Sequence, residues 1–126
     1  ENDDKTFHVE DVLALCQRLG VPLVFDFFHH QCNPPHADGR VHLPETLEAV
    51  VETWRGRVPK FHISSQREGT RTRHADYVTP EDLHAFVEIM ARVGDAAPYD
   101  LMLEAKAKDL AVLQAREVVA TMEAAA

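Results

Sequence analysis

The sequence predicts an α/β fold in which parallel strands alternate with helices. Three short apolar runs, each with the length and β-propensity of a buried strand, alternate with four segments whose apolar residues recur at helical spacing. Strands and helices in this order form right-handed βαβ units, which place the strands side by side in a parallel sheet. An open doubly wound sheet and part of a (β/α)8 barrel both have this order.

The helices are predicted from their apolar stripes and from residues typical of helix ends. The first stripe is followed by Gly20, which favours a helix C-terminus. Thr79, followed by Pro80 and two acidic residues, is a strong helix start. The predicted helices are Val9 to Leu19, Pro44 to about Gly56, Pro80 to about Gly94, and a terminal helix from about Lys106.

The strands end in polar residues and lead into loops. A loop from Phe27 to Val41 is rich in His, Pro, Asn and Gly, and it is longer than an α/β unit requires, which is typical of functional loops. Lys60 and His62 alternate with apolar residues and therefore share one face of the sheet. The predicted strands are Pro22 to Asp26, Val58 to Ile63 and Tyr99 to Glu104, and a further strand is expected before Glu1.

Composition restricts the class of protein. The chain has 126 residues, 45% hydrophobic and 27% charged, which suits one domain, residues 1–126, with a hydrophobic core. No apolar run is long enough to cross a membrane, and there is no signal-peptide pattern. Two cysteines, Cys16 and Cys32, are too few for a disulfide framework, so we expect a reducing, cytoplasmic compartment. Because the chain begins without Met, we expect a piece of a longer protein.

The charge of the chain leaves its partner open. A formal net charge of −8 argues against a protein that holds nucleic acid through a basic surface. Carboxylates that bind divalent ions would, however, be partly neutralised by those ions, so the formal charge overstates the field near such a site.

Polar residues at the strand ends predict a metal site. Asp26 and His29 follow the first apolar run as a candidate D-x-x-H ligand pair. In a parallel barrel the strand ends converge on the mouth that holds the active site, where crowded carboxylates repel one another unless a cation is present. A mixed carboxylate and imidazole set fits Mn²⁺, Zn²⁺ or Mg²⁺. The predicted cluster is Glu1, Asp26, His62 and Glu104.

Five segments of the chain carry a family resemblance. They are Glu-Asn-Asp-Asp-Lys at 1–5, Phe-Asp-Phe-Phe-His-His at 25–30, Pro-Lys-Phe-His-Ile-Ser at 59–64, Arg-His-Ala-Asp-Tyr at 73–77, and Leu-Met-Leu-Glu-Ala-Lys-Ala-Lys-Asp at 101–109. In this order they resemble the C-terminal half of the UV damage endonucleases, which are TIM-barrel repair enzymes similar to endonuclease IV. The resemblance implies half of a (β/α)8 barrel. It also implies metal-dependent cleavage, usually with Mn²⁺, directly 5′ of ultraviolet photoproducts in double-stranded DNA.

The resemblance also assigns roles to individual residues. Catalysis is assigned to Glu1, Lys60 and Glu104. Lys60 matches an interior lysine, and because a buried ammonium beside metal ions is costly, we expect this side chain to be neutral or covalently modified to an anion. The resemblance implies two metal ions. Asp26, His62 and Glu104 are the implied ligands of one ion, His29 and His74 are those of the other, and Glu1 is the implied bridge between the two.

Further residues are expected to support the site. Arg67, Arg71 and Arg73 precede His74 in one loop and are expected to contact DNA phosphates. Asn33 and His30 border the ligands and are expected to orient them without binding the ion.

The resemblance covers only part of a family member. The remaining metal-binding histidines and the lesion-probing residues lie in an N-terminal half that this sequence does not contain. A half barrel leaves open strand edges, so we expect the chain to associate with that half or with a second copy, and to cleave DNA weakly or not at all alone. Two alternatives remain, a sugar isomerase or epimerase of the xylose isomerase type and a non-catalytic metal-binding fragment. The arginine-bearing loop favours phosphate chemistry.

Overall fold

The computed structural model of the chain describes residues 1–36, 42–94 and 98–126. The strands are β1 (Phe25–Asp26), β2 (Lys60–Ile63) and β3 (Asp100–Leu103). They form one parallel sheet in the order β1-β2-β3. The helices are α1 (Val9–Leu19), α2 (Phe27–Cys32), α3 (Leu43–Glu52), α4 (Pro80–Met90) and α5 (Asp109–Ala125). The predicted α/β fold with parallel strands is therefore confirmed.

Helix α1 has the predicted bounds because both of its ends are capped. The His8 side chain accepts a hydrogen bond from the backbone N–H of Asp11, and Gly20 adopts a left-handed conformation with a φ of 66°. The Gly20 N–H then donates to the carbonyl of Cys16. No helix in the three described ranges is both long enough and apolar enough to cross a membrane.

Helix α2 corrects the prediction of a loop from Phe27 onward. The Asp26 carboxylate accepts a hydrogen bond from the His29 N–H at 2.8 Å, so the residue that ends β1 also caps α2. His29 and His30, two of the histidines that indicated a loop, belong to this short helix, which ends before Asn33. Residues 37–41 of the predicted loop lie outside the described residues.

The other helices are shorter than predicted. Helix α3 ends at Glu52, before a turn in which Arg55 and Gly56 have positive φ values of 51° and 81°. Helix α4 ends at Met90 rather than near Gly94. Helix α5 begins at Asp109 rather than near Lys106, because Lys108 has a φ of 53° and interrupts the helical backbone.

The strands are also shorter than predicted. At Leu23 side chains replace a strand partner: the N–H donates to Thr53 Oγ1 at 3.0 Å, and the carbonyl accepts from Trp54 Nε1 at 2.8 Å. Strand β1 is consequently limited to two residues. The ladder between β2 and β3 continues past β3, since the Glu104 N–H donates to the Ile63 carbonyl at 2.9 Å.

The sheet has one covered face and one open face. On the covered face Phe61 is fully buried, and its ring lies 5.6 Å from Phe86, 5.7 Å from Tyr99 and 6.4 Å from Phe25 between centroids. On the open face Lys60 and its register partner Asp100 are exposed, as is Met102. The hydrophobic core therefore lies between the sheet and its helices, and the opposite face presents Met102 beside charged groups.

Phe61→Ala is expected to lower the free energy of unfolding of the chain by about 3–5 kcal/mol, because it removes the ring around which three other aromatic rings pack. Urea denaturation followed by circular dichroism measures this change. The control is Val58→Ala, at a side chain that is 48% exposed, with an expected change within about 0.5 kcal/mol. Equal effects of the two substitutions would contradict the core described above.

Candidate metal centre

Three potential ligands lie where the parallel strands end. Asp26 is the last residue of β1, and its register partner in β2 is His62. Glu104 directly follows β3. Because parallel strands end at the same edge of the sheet, these three side chains project into one region.

Glu1 completes the cluster from a separate segment. Its carboxylate Oε1 lies 3.4 Å from His62 Nδ1. Glu1, Asp26, His62 and Glu104 each offer one ligand atom, and these four atoms lie within 4.8 Å of one another. The predicted strand-end cluster is therefore assembled in the structure.

The imidazole of His62 is surrounded by carboxylates. Its Nδ1 lies 3.3 Å from Glu104 Oε1, 3.4 Å from Glu1 Oε1 and 3.9 Å from Asp26 Oδ2. The side chain is 13% exposed, so its nitrogen is largely shielded from bulk water. One imidazole nitrogen and three carboxylate oxygens thus share a small space, which is an arrangement that a divalent cation stabilises.

Asp26 is the buried member of the cluster. Its side chain is fully buried, and its Oδ2 has no hydrogen-bond partner among the described residues. Burial, with a smaller contribution from the neighbouring Glu1, raises the pKa of Asp26 to about 7. An unpartnered carboxylate oxygen that faces two other carboxylates fits a metal ligand, because a bound cation would replace the missing partner.

His29 lies beside the cluster and is oriented by a backbone contact. Its Nδ1 lies 2.9 Å from the carbonyl of Asn2, 3.4 Å from Glu1 Oε1 and 3.7 Å from Asp26 Oδ2. Burial lowers the pKa of His29, but the Asn2 carbonyl and the nearby carboxylates more than offset this effect, so the pKa is raised. The structure thus brings the D-x-x-H pair together.

His74 also lies beside the cluster. Its Nε2 is 3.9 Å from Glu104 Oε2, and its ring meets Phe28 edge-on at 5.7 Å. A bridge between Gln66 and His74 closes the loop that carries it. His29 and His74 are therefore neighbours of the four-residue cluster: His29 lies near the carboxylates of Glu1 and Asp26, and His74 lies near that of Glu104.

Comparison with known proteins identifies the family. The sequence profile of the family described as UV-endonuclease UvdE matches residues 1–125. The chain belongs to the UvdE family. Similar relatives are the UV DNA damage endonucleases of Bacillus mycoides (strain KBAB4), 41% identical over 120 residues, and Bacillus cereus (strain Q1), 39% identical over 117 residues. Each alignment covers 90% of this chain and 35% of the relative, so the chain spans about a third of the length of these UvdE relatives.

A solved structure has the same fold. The crystal structure of SacUVDE superposes on this UvdE chain with a TM-score of 0.77 and 32% sequence identity. The alignment covers 97% of this chain and 39% of SacUVDE. The fold described above is therefore present within a larger solved protein.

The predicted supporting residues of this UvdE chain have different surroundings. Asn33 Nδ2 donates to the carbonyl of Asp3 at 3.3 Å, so it contacts the segment that carries Glu1. His30 is buried with its ring 5.4 Å from Phe25. Lys60 shares the face of His62 as predicted, but it is exposed rather than buried, because the described residues leave that face of the sheet open.

Three exposed arginines lie in the loop before His74. The N–H of Arg67 donates to the carbonyl of Arg73 at 2.8 Å, which holds this loop in a narrow hairpin. Within the loop, the carbonyl of Arg71 accepts from Gln66 Nε2 at 3.0 Å. A mainly polar cavity of about 490 Å³ lies between this loop and α2, and the residues that line it are Phe28, Gln31, Cys32, Ser65, Gln66, Arg71, Thr79 and Asp82.

Sequence reasoning did not identify Asn2 as part of the site. The residue is 1% exposed, and its side chain makes two hydrogen bonds with the backbone of Asp26. The sequence shows only that Asn2 follows Glu1 within the first segment of the family resemblance, and this does not distinguish a buried amide from a surface residue.

The metal-free chain is expected to lose stability as the pH rises from about 4 to about 7. In this range folded Asp26, with its pKa raised to about 7, keeps a proton that the unfolded chain has released, so the free energy of unfolding falls by a few kcal/mol at most. The raised pKa of His29 acts in the same direction at higher pH. Urea denaturation in the presence of a chelator measures the trend.

Asp26→Asn is the matched variant for this measurement. The amide oxygen still caps α2, but the titrating group is gone, so most of the decrease between pH 4 and 7 is expected to disappear. An undiminished decrease in this variant would show that the pH dependence arises elsewhere.

Proposed function

We propose that this chain is the metal-binding, C-terminal half of a UV damage endonuclease. The supporting observation is the cluster that Glu1 forms with Asp26, His62 and Glu104, which lie at the carboxyl ends of parallel strands, in a chain of the UvdE family. We place residues 1–126 in one segment of a TIM (β/α)8 barrel, whose mouth is the usual position of an active site. In this proposal the complete enzyme cleaves the phosphodiester bond 5′ of ultraviolet photoproducts and so initiates excision repair.

The cluster supports a divalent ion, and we propose Mn²⁺, with Zn²⁺ and Mg²⁺ as the other ions that suit oxygen and imidazole ligands. Bound ions would supply Lewis-acid stabilisation of the scissile phosphate and activation of a water molecule. The proposed ligands of one ion are Glu1, Asp26, His62 and Glu104, and those of a second are Glu1, His29 and His74.

The position of Glu1 supports a bridging role. Its Oε1 lies 3.4 Å from the Nδ1 atoms of both His29 and His62. These histidines belong to the two proposed ligand sets, so Glu1 lies beside one histidine of each set. Glu104 has a similar position, with one oxygen 3.3 Å from His62 and the other 3.9 Å from His74.

Substrate binding is proposed for the arginine-bearing loop. The loop adjoins the site through His74, and Arg67, Arg71 and Arg73 are exposed. Exposed guanidinium groups can contact DNA phosphates without reading base sequence, which suits an enzyme that must act at lesions in any sequence. The proposed partner is damaged double-stranded DNA.

Lys60 is proposed as a catalytic residue of the complete barrel only. It lies on the same face as His62, two residues earlier in β2, but the part of the chain that the structure describes leaves that face open. The expected neutral or anionic state depends on burial, which the missing half of the barrel would have to supply.

The N-terminal half of the barrel is the proposed partner of the open face and of the exposed edge of β3, with a second copy of the chain as the other candidate. The chain spans 35% of its relatives, so we propose that it does not cleave DNA alone. Action on chromosomal DNA would place the enzyme in the cytoplasm.

A cleavage assay tests the proposed function. The chain, mixed with the N-terminal half of the barrel and Mn²⁺, is expected to cut a duplex that carries a cyclobutane dimer on the 5′ side of the lesion. Asp26→Ala and Glu104→Ala are expected to reduce the cleavage rate at least about 100-fold, because the metal contribution amounts to several kcal/mol.

The matched control is Glu117→Ala, an exposed carboxylate on α5, which is expected to leave the rate unchanged. No incision by a folded, metal-loaded complex would contradict the proposal and favour the isomerase or the non-catalytic alternative.

Neutralisation of the loop arginines is expected to weaken DNA binding. Replacement of Arg67, Arg71 and Arg73 by Gln should lower the affinity for damaged and undamaged duplexes alike, and it should reduce the slope of log affinity against log salt by about 1 for each lost phosphate contact. Fluorescence anisotropy of a labelled duplex at several salt concentrations measures both. Arg116→Gln, at an exposed position on α5, is the control, and an equal effect there would exclude a specific role for the loop.

A further inference from the structure

One buried side chain connects several proposed ligands without being a ligand itself. Asn2 accepts a hydrogen bond from the Asp26 N–H at 2.8 Å through Oδ1, and it donates to the Asp26 carbonyl at 3.0 Å through Nδ2. A single amide therefore satisfies both backbone polar groups of a buried ligand residue, as a neighbouring strand would do.

The backbone of Asn2 makes a second connection. Its carbonyl accepts a hydrogen bond from His29 Nδ1 at 2.9 Å. Since only a protonated nitrogen can donate to a carbonyl, this contact places the proton of neutral His29 on Nδ1, the nitrogen that also faces the carboxylates of Glu1 and Asp26. The lone pair of neutral His29 is then on Nε2, through which it would bind an ion. Metal-binding histidines are commonly oriented by such a contact.

Asn2 also determines the position of Glu1. The two residues are adjacent in the chain, and Glu1 is 36% exposed while Asn2 is buried. Repulsion between the carboxylates of Glu1 and Asp26 favours their separation, and the hydrogen bonds of Asn2 to Asp26 oppose it.

We propose that Asn2 is the positioning residue of the metal centre: its amide and carbonyl together hold Glu1, Asp26 and His29 in the arrangement that binds a divalent ion. This inference rests on one part of the proposed function, namely that the cluster binds a divalent metal ion. Asn2 contacts neither substrate nor reacting atoms.

Metal affinity tests the inference through a matched pair of variants. Asn2→Ala removes the amide, and Thr53→Val removes the hydroxyl that accepts from the Leu23 N–H ahead of the same strand. Both variants should lose stability. Asn2→Ala is expected to bind Mn²⁺ about 10- to 100-fold more weakly in calorimetric titrations, whereas Thr53→Val is expected to retain the original affinity.

Unchanged Mn²⁺ affinity in a folded Asn2→Ala chain would overturn the inference, and so would an equal loss in Thr53→Val, since a loss shared by both variants would reflect stability alone.

The tautomer of His29 provides a measurement that needs no variant. In the metal-free chain, at a pH where imidazoles are neutral, ¹⁵N–¹H correlation spectra are expected to show His29 protonated on Nδ1. Protonation on Nε2 would overturn the inference. In Asn2→Ala the preference for Nδ1 should weaken, and in Thr53→Val it should persist.

These outcomes are separable from a failure of the proposed function. Neither measurement includes DNA. If Asn2→Ala weakens Mn²⁺ binding but the complete complex does not cut damaged DNA, the endonuclease proposal is wrong and the positioning role stands. If the complex cuts DNA and Asn2→Ala binds Mn²⁺ normally, the positioning role is wrong and the endonuclease proposal stands.

Discussion

The repulsion among three carboxylates at one edge of a parallel sheet is the constraint on which the arrangement of this chain depends. Their ligand atoms lie within 4.8 Å of one another and of an imidazole nitrogen, and one of the carboxylates is fully buried. The polypeptide opposes this repulsion with backbone hydrogen bonds, through the cap of α2 and the amide of Asn2. These hydrogen bonds hold the carboxylates in place but do not neutralise their negative charge, which a divalent cation would do.

The sequence predicts the order of the elements better than their lengths. Helical periodicity and capping residues are local, and α1 has the predicted bounds because its signals, from His8 to Gly20, lie within its own segment. Strand length depends on partners elsewhere in the chain: β1 is short because the side chains of Thr53 and Trp54, about 30 residues away, satisfy Leu23. The sequence predicts a loop in place of helix α2 because six residues are too few to show periodicity.

Asp26, His62 and Glu104 could be predicted from strand ends, since parallel strands end at one edge whatever the loops between them do. Glu1 joins them from a segment that is not a strand in the structure. Asn2 could not be predicted, because its role depends on a contact with a backbone 24 residues away, and a polar residue carries no sequence sign of burial. The exposure of Lys60 could not be predicted either. Its surroundings depend on what covers the open face of the sheet, and a strand pattern does not contain that information.

The two oxygens of Asp26 serve different purposes, and this limits which residues can occupy the position. One oxygen caps α2, and the other faces the cluster from a buried position. Asparagine would retain the cap without the charge, whereas glutamate would retain the charge on a side chain that is a poor cap. Each conservative exchange therefore loses one of the two functions that aspartate provides. A substitution at this position changes the start of α2 and the chemistry of the site together.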